Sequence, residues 1–351
     1  MHWLLICCCL GSIGTTVSFV FSASPTTILQ PRISMTTTED DFVPLNPESL
    51  SATSCLIEQT LCQPSSERPQ LAKDFHYASA VLDAWREEEL NSEIAWCTEY
   101  NSVTYHDSDG TPLYGHWVRK QGSHEKDDTF GILLFHTGAG PHDIFLLWKA
   151  ASLVMALDCQ VLIADILSDE SGWAWDLDRS RYETVRQQVL EGEGTVRPLL
   201  QKRIRAAVSV LKSQVDENRL SALGWCLGGH SILELARMNL PEIRAMVTFH
   251  GVFDGIEAPT VAVSSVGAEI LICNGVEDPF VSSQTLENAL ATFQQYGHRL
   301  SLLQLKGAKH GFTNPAQDSN ENPAFAFHAE SAHKSWHQAT ALLKRRCSTL
   351  P

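Results

Sequence analysis

The 351 residues, 44% hydrophobic and 19% charged, have the balance of an ordinary globular protein with ample material for a core. A formal net charge of −15 argues against nucleic acid and anionic membrane as partners of the mature domain, because phosphate binding needs a basic surface. The acidic residues are spread along the chain rather than gathered into a tail, a pattern of solubility.

Ten cysteines look like many, but Cys7, Cys8 and Cys9 lie in an apolar leader. Cys55, Cys62, Cys97, Cys159, Cys226, Cys273 and Cys347 form an odd, scattered set without C-x-x-C spacing, which indicates neither a metal site nor a dense disulfide framework. Cys55 and Cys62 pair only if the chain meets an oxidising compartment. Cys159 and Cys273 sit in or beside strand-like runs and are expected in the core.

Residues 1–38 contain no acidic residue and only Arg32 as a strong base. Trp3 to Val20 is largely apolar, and Ser22, Ala23 and Ser24 offer small residues for cleavage, a signal-peptide pattern without the usual basic start. The Ser/Thr-rich stretch that follows has transit-peptide composition, so a two-part plastid signal read through the secretory route is one expectation. A signal anchor is another, and a start at Met35, giving a cytoplasmic form, is a third. Residues 39–100 read as an N-terminal extension: a Pro/Ser/Thr-rich linker to Arg68, then helical spacing over Leu71 to Leu90, with Leu71, Phe75, Ala78, Val81, Leu82 and Trp85 on one side.

From residue 101 to 351 the pattern is that of one α/β domain. Val103 to His106 and Leu113 to Arg119 flank the hairpin signal Asp107-Ser108-Asp109-Gly110. Phe130 to Phe135 reads as a buried strand, followed by His136-Thr137-Gly138-Ala139-Gly140, a helix over Ile144 to Leu157, and a strand over Gln160 to Ala164. A long segment with Trp173, Trp175, Arg179, Arg181 and Arg186 leads to a helix near Val196 to Ser213. Ala245 to Phe249, Glu269 to Cys273 and Leu300 to Leu305 are further strands, and the last helix is expected over about Ala324 to Leu343. Short, fully apolar strands alternating with helices predict a mostly parallel, twisted sheet covered on both faces.

The stretch around which this domain is organised is Leu220 to His230. An apolar run ends at Gly224, a tight turn holds Cys226, and Ser231 to Met238 reads as an amphipathic helix. G-x-C-x-G-G is the thiol spelling of the nucleophile elbow, with Gly224 and Gly228 at the positions where a side chain would collide. The following helix would aim its first amides at the sulfur and favour a thiolate. The same spelling also fits a Gly-rich turn with a buried, inert cysteine. A reactive thiol needs a base, and the base needs an acid holding its tautomer. Two downstream strand ends carry them: Asn274-Gly275-Val276-Glu277-Asp278-Pro279 and Lys309-His310-Gly311-Phe312. The order Cys226, Asp278, His310 is that of nucleophile, acid and base on the α/β-hydrolase fold. Glu277 is the rival acid, and the G-x-x-D register favours Asp278.

Gly224-Trp225-Cys226-Leu227-Gly228-Gly229, Gly275-Val276-Glu277-Asp278 and His310-Gly311-Phe312 resemble the three motifs of the dienelactone hydrolase family, over roughly Val103 to Leu343. The resemblance implies a single α/β-hydrolase domain, no metal or organic cofactor, and hydrolysis of a small ester or lactone through a thioester. It makes Cys226 nucleophile, His310 base then acid, and Asp278 the orienting acid. It places the oxyanion donors on Leu227 and, from the loop after Phe135, on Gly138. Two positions depart from the pattern. Thr137 stands where bacterial members have an activating glutamate, and Thr313-Asn314-Pro315 where they carry a carboxylate-binding arginine; Arg179, Arg181 or Arg186 is a substitute cation or a solvated helix face. His136, His230 and His250 are expected to be structural, and Trp173, Trp175 and Trp225 line a pocket or pack in the core. The alternative function is a non-catalytic fold of this kind that binds a small ligand.

Overall fold

The computed structural model describes residues 42–45, 47, 71–92, 96–123, 129–168, 173, 179–192, 196–254 and 267–348. The leader, Cys55, Cys62 and Trp175 lie outside them. Among the described residues nine strands form one sheet in the order β1-β2-β3-β5-β4-β6-β7-β8-β9. β1 (Val43–Leu45), β2 (Thr98–His106) and β3 (Pro112–Lys120) are antiparallel, and β3 pairs antiparallel with β5 (Gln160–Ala164). From β5 onward the sheet is parallel, through β4 (Gly131–Phe135), β6 (Leu220–Trp225), β7 (Ile243–Phe249), β8 (Glu269–Gly275) and β9 (Arg299–Leu305).

Both faces of this sheet are covered, and the period of two along each strand shows how. Ile132, Leu134, Val161, Ile163, Leu223, Trp225, Val247 and Phe249 join one apolar cluster with residues of α1 (Leu71–Leu90), α2 (Ile144–Leu157) and α7 (Ala329–Ser348). The alternate residues Leu133, Leu162, Ala222 and Met246 are equally buried and point to the opposite face. There α3 (Arg179–Leu190), α4 (Pro198–Lys212), α5 (Gly228–Met238) and α6 (Ser283–Gln295) pack on one another in succession. This is the mostly parallel α/β arrangement expected from the fully apolar strands.

Several boundaries differ from the sequence expectation. β2 begins at Thr98 and pairs with β1, so the sheet runs across the division at residue 100. α1 packs on α2 and on the short 3-10 turn Pro315–Ser319. α5 begins at Gly228, not Ser231: close packing against strand backbones outweighs the poor helix propensity of two glycines. α7 begins at Ala329, not Ala324, because residues 324–326 spend their backbone groups on His310. His310 N–H donates to Ala324 O at 3.2 Å, and Ala326 N–H to His310 O at 3.2 Å. The segment read only as a lead-in to α4 contains α3, a polar helix whose weak apolar periodicity hides it.

Candidate active site

The turn after β6 has the strain an elbow demands. Cys226 sits at φ +53, a left-handed conformation costly for a side chain with a Cβ. Its carbonyl holds the turn in place, accepting from Gly229 N–H at 2.9 Å and Val252 N–H at 2.9 Å. Gly224 and Gly228 make this geometry possible. A Cβ on Gly224 would strike the Gly228 carbonyl, and one on Gly228 would stand 2.5 Å from Phe135 O. The chain folds this way because only these two residues let β4, β6 and α5 approach so closely.

Around the sulfur the structure brings together all three expected groups. His310 Nε2 lies 3.0 Å from Cys226 Sγ, and its Nδ1–H donates to Asp278 Oδ2 at 2.7 Å. The other oxygen, Asp278 Oδ1, accepts from Phe280 N–H at 2.9 Å, which fixes the carboxylate plane. Asp278 is buried and Glu277 exposed, so only the first faces the ring. The backbone N–H groups of Leu227 and Gly138, the two expected oxyanion donors, both act as hydrogen-bond donors toward Cys226 Sγ.

Electrostatics follow from this crowding. Burial by itself would push the Cys226 thiol up, yet the facing imidazole, its hydrogen bond and the two amides together hold it below its ordinary value. Burial equally opposes a charge on His310, but the sulfur and Asp278 outweigh it and raise the ring above the ordinary histidine value. Both shifts favour a thiolate facing an imidazolium.

His310 is enclosed by rings. His250, Phe280 and Phe325 stand edge-on to it with centroids 4.9, 4.9 and 5.1 Å away. His250, itself at φ +40, is held neutral by burial and by the charge on His310, and its Nε2 lies 3.0 Å from Thr313 Oγ1. It packs against the imidazole from the end of β7. Phe280 is 43% exposed and forms an apolar edge beside the imidazole. Phe280 has no sequence signal beyond its nearness to Asp278, and Phe325 has none.

The remaining candidates take other places. His136 is fully buried, accepting from Ile166 N–H at 3.1 Å on Nε2, and His230 lies 3.0 Å from Asp254 Oδ1. Arg186 Nη2 donates to both carboxylate oxygens of the same Asp254, at 2.7 and 2.8 Å, and Arg181 stacks over Trp173 at 5.2 Å. Trp225 is a core residue, stacked on Phe249 at 4.9 Å. Trp173 is buried beside Gly140. Thr137 Oγ1 accepts from Ala139 N–H at 3.1 Å, so a loop hydrogen bond replaces the glutamate. Asn314 Nδ2 donates to Tyr77 Oη at 2.7 Å and is thereby committed to α1. Among the described residues no group of three or more His, Cys, Asp or Glu could hold a metal ion.

Known proteins resemble this chain both in sequence and in fold. A probable 2-oxo-3-(5-oxofuran-2-ylidene)propanoate lactonase of Bradyrhizobium sp is 29% identical over 152 residues, covering 41% of this chain and 58% of that protein. An uncharacterized protein of Caenorhabditis elegans is 29% identical over 147 residues, 41% of this chain and 92% of the relative. Among solved structures, a dienelactone hydrolase-like promiscuous phosphotriesterase from metagenomic libraries superposes with TM-score 0.59 at 25% identity, covering 71% of this chain and 99% of that one. The esterase of Pyrobaculum calidifontis shares the fold at TM-score 0.50 and 13% identity, over 82% of this chain and 97% of the esterase. The dienelactone hydrolase family profile matches residues 155–347. That match spans more than half the sequence and includes Cys226, Asp278 and His310, and with it the chain belongs to the dienelactone hydrolase family of α/β-hydrolases.

Proposed function

We propose that this member of a hydrolase family cleaves small esters or lactones by covalent catalysis at Cys226. The observation that carries the reading is the relay of 3.0 Å from sulfur to imidazole and 2.7 Å from imidazole to buried carboxylate, mounted on a strained elbow. The thiolate attacks the carbonyl carbon, and the developing oxyanion is received by the Leu227 and Gly138 amides. As the tetrahedral species collapses, the Nε2 proton of His310 passes to the leaving alkoxide, giving a thioester and a free alcohol. Water then enters, gives a proton to Nε2 and attacks the thioester. Collapse releases the acid and restores the ion pair. Asp278 keeps the ring in one tautomer and offsets its charge throughout. Every group the cycle needs is supplied by the chain itself. The exposed Phe280 beside the imidazole favours substrates with an apolar portion near the leaving group.

The test is turnover of a panel of activated esters and small lactones by Cys226→Ala. Loss of turnover with retained ligand binding supports the reading; undiminished turnover rejects it. Cys226→Ser should keep the fold and lose most acylation, because this environment stabilises a thiolate and not an alkoxide.

A further inference from the structure

Helix α1 lies upstream of the matched family region, yet its Tyr77 hydroxyl stands between the two loops that build the site. The hydroxyl donates to Asp143, with its carboxylate oxygens at 3.0 and 2.9 Å, and accepts from Asn314 Nδ2 at 2.7 Å. Asp143 is the N-cap of α2, accepting from Phe145 N–H at 3.0 Å. It closes the loop that begins at His136 and presents Gly138. Asn314 caps the 3-10 turn Pro315–Ser319, accepting from Ala316 N–H at 3.0 Å, and ends the loop that presents His310. These loops leave β4 and β9, which three strands separate in the sheet. One hydroxyl therefore ties the loop of an oxyanion donor to the loop of the imidazole.

We propose that Tyr77 is a positioning residue whose hydroxyl sets the spacing of these two loops, keeping the Gly138 amide and the His310 ring in register around Cys226. This rests on the reading of Cys226, His310 and Asp278 as the reactive centre. The chemistry of the three partners suits the task. Burial, then the facing Asp143, raise the Tyr77 phenol well above its ordinary value, so it stays a protonated donor. Its proton goes to Asp143 and its lone pair takes the Asn314 amide, an aligned chain in which each bond polarises the next. Asn314 follows Thr313, whose hydroxyl meets His250, and His250 packs on His310. Movement at Asn314 is thus passed to the imidazole through Thr313 and His250 as well as along the backbone.

Packing and positioning are separated by Tyr77→Phe, which keeps the ring and removes only the hydroxyl. The full chain, Tyr77→Phe, Asn314→Ala and the double variant are assayed with p-nitrophenyl acetate. Each kcat is normalised to the Cys226 thiol titrated by iodoacetamide and intact mass, so that unfolded material does not count. Expected are a fall in kcat of about tenfold for each single variant, with KM within about twofold, and a double variant no slower than either single. Wild-type kcat in Tyr77→Phe overturns the proposal, as does a loss confined to KM. Multiplying losses in the double variant overturn it too, since the two groups would then act independently. Cys226→Ala is run alongside: if it retains turnover, the reading of the reactive centre fails, whatever Tyr77→Phe does.

Discussion

Replacing Gly228 by alanine tests whether the elbow's close packing serves the chemistry. The new Cβ would stand 2.5 Å from Phe135 O and 3.1 Å from the Phe135 carbonyl carbon, whereas real Cβ atoms essentially never come under 3.0 Å. The obstacle is strand backbone, which cannot rotate away, so α5 and the end of β4 must part by at least about half an ångström. Phe135 is three residues before Gly138, and the displacement therefore opens the gap between the Gly138 amide and Cys226. Overpacking of this kind costs roughly 1–3 kcal/mol of stability. A misplacement approaching 1 Å at reacting groups slows turnover by up to about 100-fold. The expected result is a kcat on an activated ester lowered by about 10- to 100-fold, together with a lower Tm by calorimetry. Gly110→Ala is the control: its Cβ meets nothing within 4 Å, but its φ of +85 strains any side chain, so it should lower Tm and leave kcat intact. Wild-type kcat in Gly228→Ala would refute the link between elbow packing and the oxyanion donors.

Two further outcomes follow from the charged and neutral histidines. In the wild type the Cys226 thiol is lowered and His310 raised, so the ion pair persists on both sides of neutrality and iodoacetamide should alkylate Cys226 almost as fast at pH 6 as at pH 8. His310→Ala leaves burial opposed only by two amides; alkylation at pH 7 should fall about tenfold or more and recover only toward alkaline pH, and matching pH profiles would contradict the pairing. His230 is pushed down to about 4, chiefly by burial and despite Asp254. Its folded value thus lies below its unfolded one: its contribution is complete above about pH 6.5 and is lost as pH falls toward 4, about 3 kcal/mol in all. His230→Asn should flatten the Tm–pH curve across that window, and an unchanged slope would show that the ring is not held neutral.

The parallel strands were readable because residues buried on both faces leave short runs with hardly a polar residue, as in Gly131–Phe135 and Gln160–Ala164. The elbow is legible because its backbone tolerates only glycine at residues 224 and 228, and the pairing of Asp278 with His310 because each residue follows a strand that its apolar run announces. Other parts rest on distant meetings. Nothing local to Tyr77 announces that its hydroxyl will bridge Asp143 and Asn314, and nothing near Phe325 shows that its backbone strand will run beside His310. Helix α3 has no clear signature because its arginines and glutamate carry little apolar period, although Tyr182 on it covers Gly138. Trp225 has the position of a pocket residue in the motif but the strand's alternation turns it into the core, against Phe249 and Phe145.

The central claim is that an acyl group is carried on the sulfur of Cys226, and trapping it is the most direct measurement. The protein is mixed with an activated ester, quenched in acid within the first turnovers, and analysed by intact mass and then by peptide mapping. A mass increase equal to the acyl group, mapped to the peptide of Leu220 to Met238 and absent from Cys226→Ala, is the predicted result. Turnover with no adduct on that peptide, or with the adduct on another residue, would contradict the account.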